Sequence, residues 1–249
     1  MSDQADLKRV RALHQRKHRD AEGLFLVQGR KLVAELLRSP VATVEVHATA
    51  EAARDMRLND AHVHPAHVLE RMGTLETGNE VVAVARRPLA ADMMPPKGNG
   101  LVIALDGVND PGNLGTVVRI ADWFGATAVW CAEGSVEAFN PKCVQASMGS
   151  IFRMPVAHGD LAGALARADR EGVAVYKADM GGQSVFTTAL QRPAVLVMGS
   201  ESHGLSEGVR RGVGITIAIP AFGGAESLNV AAAAAALCME FARRSGPQD

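Results

Sequence analysis

Five side chains in this sequence have types and spacing that chemistry can use: Asn113, Arg119, Glu201, Ser227 and Asn229. They fall in or just after three glycine-bearing stretches, G-V-N-D-P-G-N-L-G from Gly107, G-S-E-S-H-G-L-S from Gly199 and P-A-F-G-G-A-E-S-L-N from Pro220. Turns of this kind offer free backbone amides to a ligand, and Arg119 adds a cation. Hydrolysis by a triad fits poorly: His203 is the one candidate base, and nothing in the sequence gives it a partner. A capped helix accounts for part of the last stretch, since Ser227 or Glu226 can satisfy one free amide for about 1 kcal/mol. Two glycines and a further Asn229 exceed what a cap requires. The inventory suits an adenosine-type cofactor and an anionic polymer. The first stretch lacks the third glycine of G-x-G-x-x-G and the G-K-S/T of a phosphate loop, which argues against a dinucleotide-dependent oxidoreductase.

Elements that position these residues follow from periodicity. L-V-I-A-L-D, ending at Asp106, reads as a buried parallel strand. A helix follows from about Leu114 to Phe124, with Arg119 among Val117, Val118, Ile120 and Ala121. T-A-V-W-C, V-A-V-Y-K-A-D, A-V-L-V-M-G and I-T-I-A-I-P read as further strands, with Asp160 to Arg170 an amphipathic helix. The segment from Asn140 to Val156 reads as a short helix, a Ser/Gly turn and a strand. The alanine-rich run after Asn229 is a closing helix. Polar turns after strand C-termini in such a sheet converge on one side.

The first 85 or so residues alternate strands and helices at a smaller scale. Residues 5 to 19 carry Leu7, Val10, Leu13 and His14 at helical spacing, and Gly23 stops that helix. His47, His62, His64 and His67 lie on strands and a helix start with no recognised metal-ligand spacing, so no metal site is expected. Arg86 to Gly100, with three prolines and two glycines, reads as a linker. The expected domains are 1–88, a linker over 89–99, and 100–249.

Net charge is −1 over 249 residues, which gives no global field toward nucleic acid. Met1 to Arg38 nevertheless holds nine Lys or Arg against five acids. A phosphate-contacting arm carried by Lys8, Arg9, Arg16, Lys17, Arg19 and Arg30 competes with a merely solvated face. No apolar run reaches the roughly 20 residues of a membrane span, and the polar start M-S-D-Q-A-D has no signal core. Three cysteines without C-x-x-C spacing point to a reducing cytoplasm and away from zinc.

The three stretches together resemble the three motifs of the SpoU (TrmH) family of RNA ribose 2′-O-methyltransferases, in the SPOUT superfamily. N-D-P-G-N-L-G-T-V-V-R-I-A-D-W-F-G-A is similar to motif one, V-M-G-S-E-S-H-G-L-S to motif two and I-P-A-F-G-G-A-E-S-L-N-V-A-A-A to motif three. A-S-M-G-S-I-F-R-M-P-V is similar to the family's connecting segment, and R-A-L-H-Q-R-K-H-R-D-A-E-G-L-F-L-V-Q-G-R-K-L-V to its L30e-like substrate-binding domain. Departures are Gln28 where the family often has Glu, Ser202 with His203, and T-G-N-E in place of P-Q-G.

The resemblance implies an α/β fold: a mostly parallel sheet with a deep trefoil knot, preceded by the small L30e-like α/β domain. It implies S-adenosyl-methionine held by Gly199, Ile219 and Leu228, and a homodimer with the site near the interface of the two copies, its residues drawn from one copy or from both. The implied reaction is methyl transfer to a ribose 2′-hydroxyl. The motif carry-over assigns proton removal to Arg119. Because a guanidinium keeps its proton in ordinary sites, a phosphate-binding and charge-stabilising role fits better. Asn113 and Glu201 would orient Arg119, while Ser227 and Asn229 would line the ribose and cofactor side. Ribosomal RNA, with guanosine in 23S rRNA one option, is the expected substrate. The alternatives are transfer RNA, or a non-catalytic RNA-binding or ribosome-assembly factor with the same fold.

Overall fold

The computed structural model describes residues 3–75 and 77–245, so the polar start at Met1 and Ser2 lies outside the described residues. The chain forms two compact units. One comprises 1–89 with 137–153, the other 90–136 with 154–249.

The first unit has a four-stranded sheet in the order β1-β4-β2-β3. β1 (Leu24–Gln28) and β2 (Thr43–Ala48) flank β4 (Val81–Arg86) antiparallel, and β3 (His62–Val63) joins β2 in parallel. Helices α1 (Asp3–Ala12), α2 (Arg16–Glu22), α3 (Arg30–Arg38), α4 (Ala50–Asp55) and α5 (Ala66–Met72) surround it. The single helix expected over residues 5 to 19 is broken between α1 and α2. The physical reason lies in Arg19, whose Nη1 donates to the carbonyls of Leu13 and His14, each at 2.8 Å, and so takes up acceptors that the break releases. Gly23 ends α2 with φ 65°, a left-handed conformation that glycine adopts without steric cost.

Residues 137–153, read from the sequence as part of 100–249, pack with this first unit. They carry α7 (Pro141–Ala146) and a 3-10 turn at Ser150–Phe152 where a strand was expected. Phe139 and Phe152 pack on Phe25 of β1, at ring-centroid distances of 4.8 and 6.4 Å. Glu137 receives Arg19 at 2.6 Å and Arg87 at 2.5 Å. The helix period and the apolar run identified the segment's elements. Which body they join was decided by these long-range aromatic and ionic partners.

The second unit is a six-stranded, wholly parallel sheet in the order β10-β8-β9-β5-β6-β7. Its strands are β5 (Leu101–Asp106), β6 (Ala128–Ala132), β7 (Val156–Gly159), β8 (Ala174–Ser184), β9 (Ala194–Gly199) and β10 (Ile215–Ala218). Central strands β5 and β9 are near-continuous apolar runs because helices cover both faces. On one face α8 (Leu161–Arg170) and α9 (Glu207–Arg211) pack on Val102, Ala104, Val195 and Val197. On the other lie α6 (Pro111–Trp123) and α10 (Val230–Ser245), in contact with each other. The expected linker is not free: Met93 is buried in this core, and Arg167 donates to its carbonyl. Among the described residues no helix is long and apolar enough to cross a membrane.

β8 runs on past the expected strand V-A-V-Y-K-A-D to Ser184, alongside β10. Gly182 makes this possible. A Cβ there would lie 2.5 Å from the carbonyl carbon of Ile217, so two backbones touch where no side chain fits.

Candidate functional site

Three loops leave the C-terminal ends of β5, β9 and β10, which places them at one edge of the parallel sheet. The first becomes α6 at once. Asp110 caps it by accepting from the Asn113 amide at 2.9 Å, and Pro111 presets the first turn. The helix therefore begins three residues earlier than read from the sequence, and Asn113 sits in its first turn.

The second loop is pinned from both ends. Asp106 accepts from the Ser206 amide at 2.6 Å, and Ser200 and Gly204 exchange backbone hydrogen bonds at 3.0 and 2.9 Å. Gly199 faces that crossing so closely that a Cβ would lie 2.1 Å from the Gly204 carbonyl carbon. The tip, Glu201 to His203, is exposed, and His203 Nδ1 lies 2.7 Å from Ser202 Oγ. That contact supplies the partner for His203 that the sequence did not.

The third loop ends at Asn229, which is the N-cap of α10. Its Oδ1 accepts from Ala231 N at 2.9 Å, so the cap is neither Ser227 nor Glu226. The other half of the Asn229 amide donates to Asn113 Oδ1 at 3.0 Å, and Asn113 Nδ2 donates to Glu201 Oε1. One side chain from each loop thus enters a single hydrogen-bonded chain.

Beside this chain lies a cavity of about 780 Å³, within the range that holds a nucleoside-sized ligand. Gly199, Ile219 and Leu228 line it, with Glu201 and Ser227 at the same wall. Met198, Ile217 and Leu237 give it apolar depth. The sequence did not single out Asp179 and Arg210, which also line it and pair at 3.0 Å; the only signal was the small-residue stretch A-D-M-G-G. Carboxylates outnumber the arginine on this lining, Asp179, Glu201 and Glu226 against Arg210. Such a lining attracts a cationic ligand more than a pyrophosphate. Burial pushes the thiols of Cys131 and Cys238 up to about 12, which leaves them protonated and unsuited to attack.

Arg119 stands apart from the other four. It is exposed on α6 and makes no hydrogen bond or ion pair among the described residues, so the expected orientation by Asn113 and Glu201 is not made within one chain. Helix geometry is the reason: six residues along a helix is about 600°, which turns the two side chains about 120° apart.

The expected RNA-contacting set also divides. Lys8 and Lys17 are exposed and make no ion pair among the described residues, whereas Arg9 pairs with Glu45 at 2.5 Å, Arg16 with Asp20 at 3.3 Å and Arg30 with Asp55 at 2.7 Å. Arg19 is a correction. Only 2% exposed, it spends its guanidinium on Glu137 and two carbonyls and has none left for phosphate. Gln28 is structural too, accepting from Thr74 N at 2.6 Å and donating to Thr74 Oγ1 at 3.0 Å.

The SpoU rRNA Methylase family model matches residues 100–239, and an MRM3-like substrate binding domain matches residues 4–90. The chain is 31% identical over 235 residues to the 23S rRNA (guanosine(2553)-2′-O)-methyltransferase RlmP of Bacillus subtilis, covering 93% of both chains. It is similar in structure to a TrmH-family protein of Porphyromonas gingivalis, at 40% identity and a TM-score of 0.87, covering 98% of this chain and 99% of that one. The SpoU methyltransferase AviRb of Streptomyces viridochromogenes, solved in complex with AdoMet, is 28% identical with a TM-score of 0.87, covering 97% and 98%.

Proposed function

This chain belongs to the SpoU rRNA methylase family, and from that premise we propose that it is an S-adenosyl-methionine-dependent RNA ribose 2′-O-methyltransferase acting on ribosomal RNA. Its fold is the family's α/β-knot architecture, a parallel sheet preceded by a smaller mixed-sheet unit. The observation that carries the reading is the side-chain chain Glu201, Asn113, Asn229, which ties all three motif loops together beside one cavity.

The cavity suits the cofactor in size, in its glycine-made close approaches and in its carboxylate-rich lining. Gly199, Ile219 and Leu228 would hold it, and when bound it supplies the sulfonium methyl group. Ser227, on the cavity wall, is placed to hold a ribose hydroxyl. Glu201 and Asn113 fix the loop geometry, so positioning of the attacking oxygen supplies much of the rate. Arg119 carries a permanent charge and five donors. It binds the neighbouring phosphate and stabilises charge that develops on the 2′-oxygen, while the proton leaves to solvent.

The exposed, unpaired state of Arg119 supports a homodimer in which each copy lends this residue to the other's site. Trp123 and Met239, 83% and 58% exposed on the adjoining helices α6 and α10, give that interface apolar area. Three free, buried cysteines are compatible with a reducing cytoplasm. The exposed Lys8 and Lys17 on the N-terminal unit fit a structured RNA read through its phosphates.

The test is incubation of the protein with methyl-tritiated S-adenosyl-methionine and separate pools of ribosomal and transfer RNA. Label retained in ribosomal RNA as 2′-O-methylribose is the expected result. Label only in transfer RNA would move the substrate. No label in either, with cofactor bound, would leave an RNA-binding factor.

A further inference from the structure

We propose that the N-terminal unit holds a zinc-type divalent cation, bound by Asp6, His47 and His64. The sequence spacing of these residues carries no metal signature, because α1, β2 and the residue following β3 bring them together only in three dimensions. Ligand atoms of all three lie within 4.8 Å of one another, and the residues are 3%, 0% and 5% exposed. His47 Nδ1 and His64 Nε2 are 2.9 Å apart. Two corners of a zinc tetrahedron with bonds of about 2.0 Å lie about 3.3 Å apart, so the rings need separate by only a few tenths of an ångström.

The surroundings fit a metal better than a plain polar cluster. Asp6 Oδ1 is buried with no hydrogen-bond partner, the Arg9 guanidinium standing 3.6 Å away, and native interiors tolerate such an atom rarely. His47 Nε2 faces Glu45 Oε1 at 3.5 Å, and the other Glu45 oxygen is held by Arg9 at 2.5 Å. That is the supporting arrangement of a metal-bound histidine, whose outer nitrogen donates to a carboxylate that is itself held in place. Two carboxylates, Asp6 and Glu45, share the single cation Arg9, which leaves negative charge that a divalent ion would neutralise. Two imidazoles and a carboxylate suit zinc and its neighbours rather than magnesium or calcium. Three protein ligands leave a fourth position for water. His62 stacks on His47 at 5.1 Å but is exposed, and His67 is exposed as well; neither belongs to the set. A bound ion would fasten α1, which carries Lys8, Arg9 and Arg11, to the sheet edge.

The test uses the tag-free full chain, stripped with a chelator and titrated with Co²⁺ and then Zn²⁺, followed by absorption, calorimetry and thermal midpoint. Expected are one Co²⁺ per chain with d–d bands and no thiolate charge-transfer band, displacement by Zn²⁺, and a raised midpoint. Asp6→Asn and His64→Gln should each weaken binding by at least about 10-fold. Absence of saturable binding overturns the proposal, as does unchanged affinity in both variants. A thiolate band would place the metal on the cysteines and overturn it equally. If His64→Gln fails to fold, the wild-type spectrum and Asp6→Asn decide.

Discussion

Asn229 donates its side-chain amide to Asn113 Oδ1 across 3.0 Å while its own Oδ1 caps α10, so one residue both starts the last helix and joins it to the first motif loop. The two roles separate by substitution. Asn229→Ala removes both and should cost about 1 kcal/mol of stability, a midpoint loss of about 2–4 °C for a chain of this size. Asn229→Asp keeps the cap but sets a carboxylate against Asn113 Oδ1. It should retain most stability in thermal unfolding and still lose methyl transfer. Equal activity in the Asp variant would reduce Asn229 to a cap.

Arg119 makes no hydrogen bond or ion pair among the described residues, so its replacement should leave folding and cofactor affinity unchanged. Arg119→Lys keeps the charge but loses the planar fork, and turnover should fall about 100-fold or more. Single-turnover methylation beside calorimetry with S-adenosyl-methionine reads the two effects apart. Full turnover in the variant would remove Arg119 from the reaction.

Gly199→Ala puts a methyl 2.1 Å from the Gly204 carbonyl carbon, where only backbone can give way. Overpacking of this kind costs about 1–3 kcal/mol, and the displaced loop carries Glu201. Cofactor affinity should drop together with denaturant stability, whereas Gly134→Ala, at an open position, should change neither.

The N-terminal basic residues should behave in two classes. Lys8→Ala and Lys17→Ala should each flatten the salt dependence of RNA binding, by about 1 in log–log slope for each phosphate no longer neutralised, with stability unchanged. Arg19→Ala instead leaves Glu137 short of a buried partner, at a cost of about 3–5 kcal/mol. Unfolding curves and filter binding at several salt concentrations distinguish the classes. A normal midpoint in Arg19→Ala would contradict its structural role.

Glu45 links stability to pH. Burial works against its ionisation, but His47, facing it at 3.5 Å, and the Arg9 guanidinium, hydrogen-bonded at 2.5 Å, outweigh burial and hold the carboxyl down at about 2, from an ordinary 4.5. A depressed carboxylate stabilises the fold above its ordinary value and ceases to do so as pH falls toward its folded value. The stability gap between wild type and Glu45→Gln should therefore be full above about pH 4.5 and close as pH falls to about 2. A gap that widens on acidification would reverse the assignment.

Much of this was legible in the chain itself. Near-continuous apolar runs such as L-V-I-A-L-D and A-V-L-V-M-G specify a parallel sheet covered on both faces, because only that setting buries every residue of a strand. Glycines at the strand exits marked the loops, and the spacing of Asn113, Glu201, Ser227 and Asn229 within them marked the site. Those signals are local, carried by period and by residue type.

Tertiary structure decided what depends on partners far apart in sequence. It made Asn229 the cap and the bridge, where local spacing alone offers Ser227 or Glu226. It turned Arg119 away from Asn113, because Asp110 with Pro111 begin α6 early enough to hold both residues, and six residues of helix set them about 120° apart. Arg19 looked like its basic neighbours until Glu137, 118 residues away, claimed it. The segment 137–153 joined the first unit through Phe25, and Asp6, His47 and His64 met although no spacing rule connects them. Side-chain type and local period are written in the sequence, but the pairing of distant groups is a three-dimensional property, fixed only when burial forces each polar atom to find its partner.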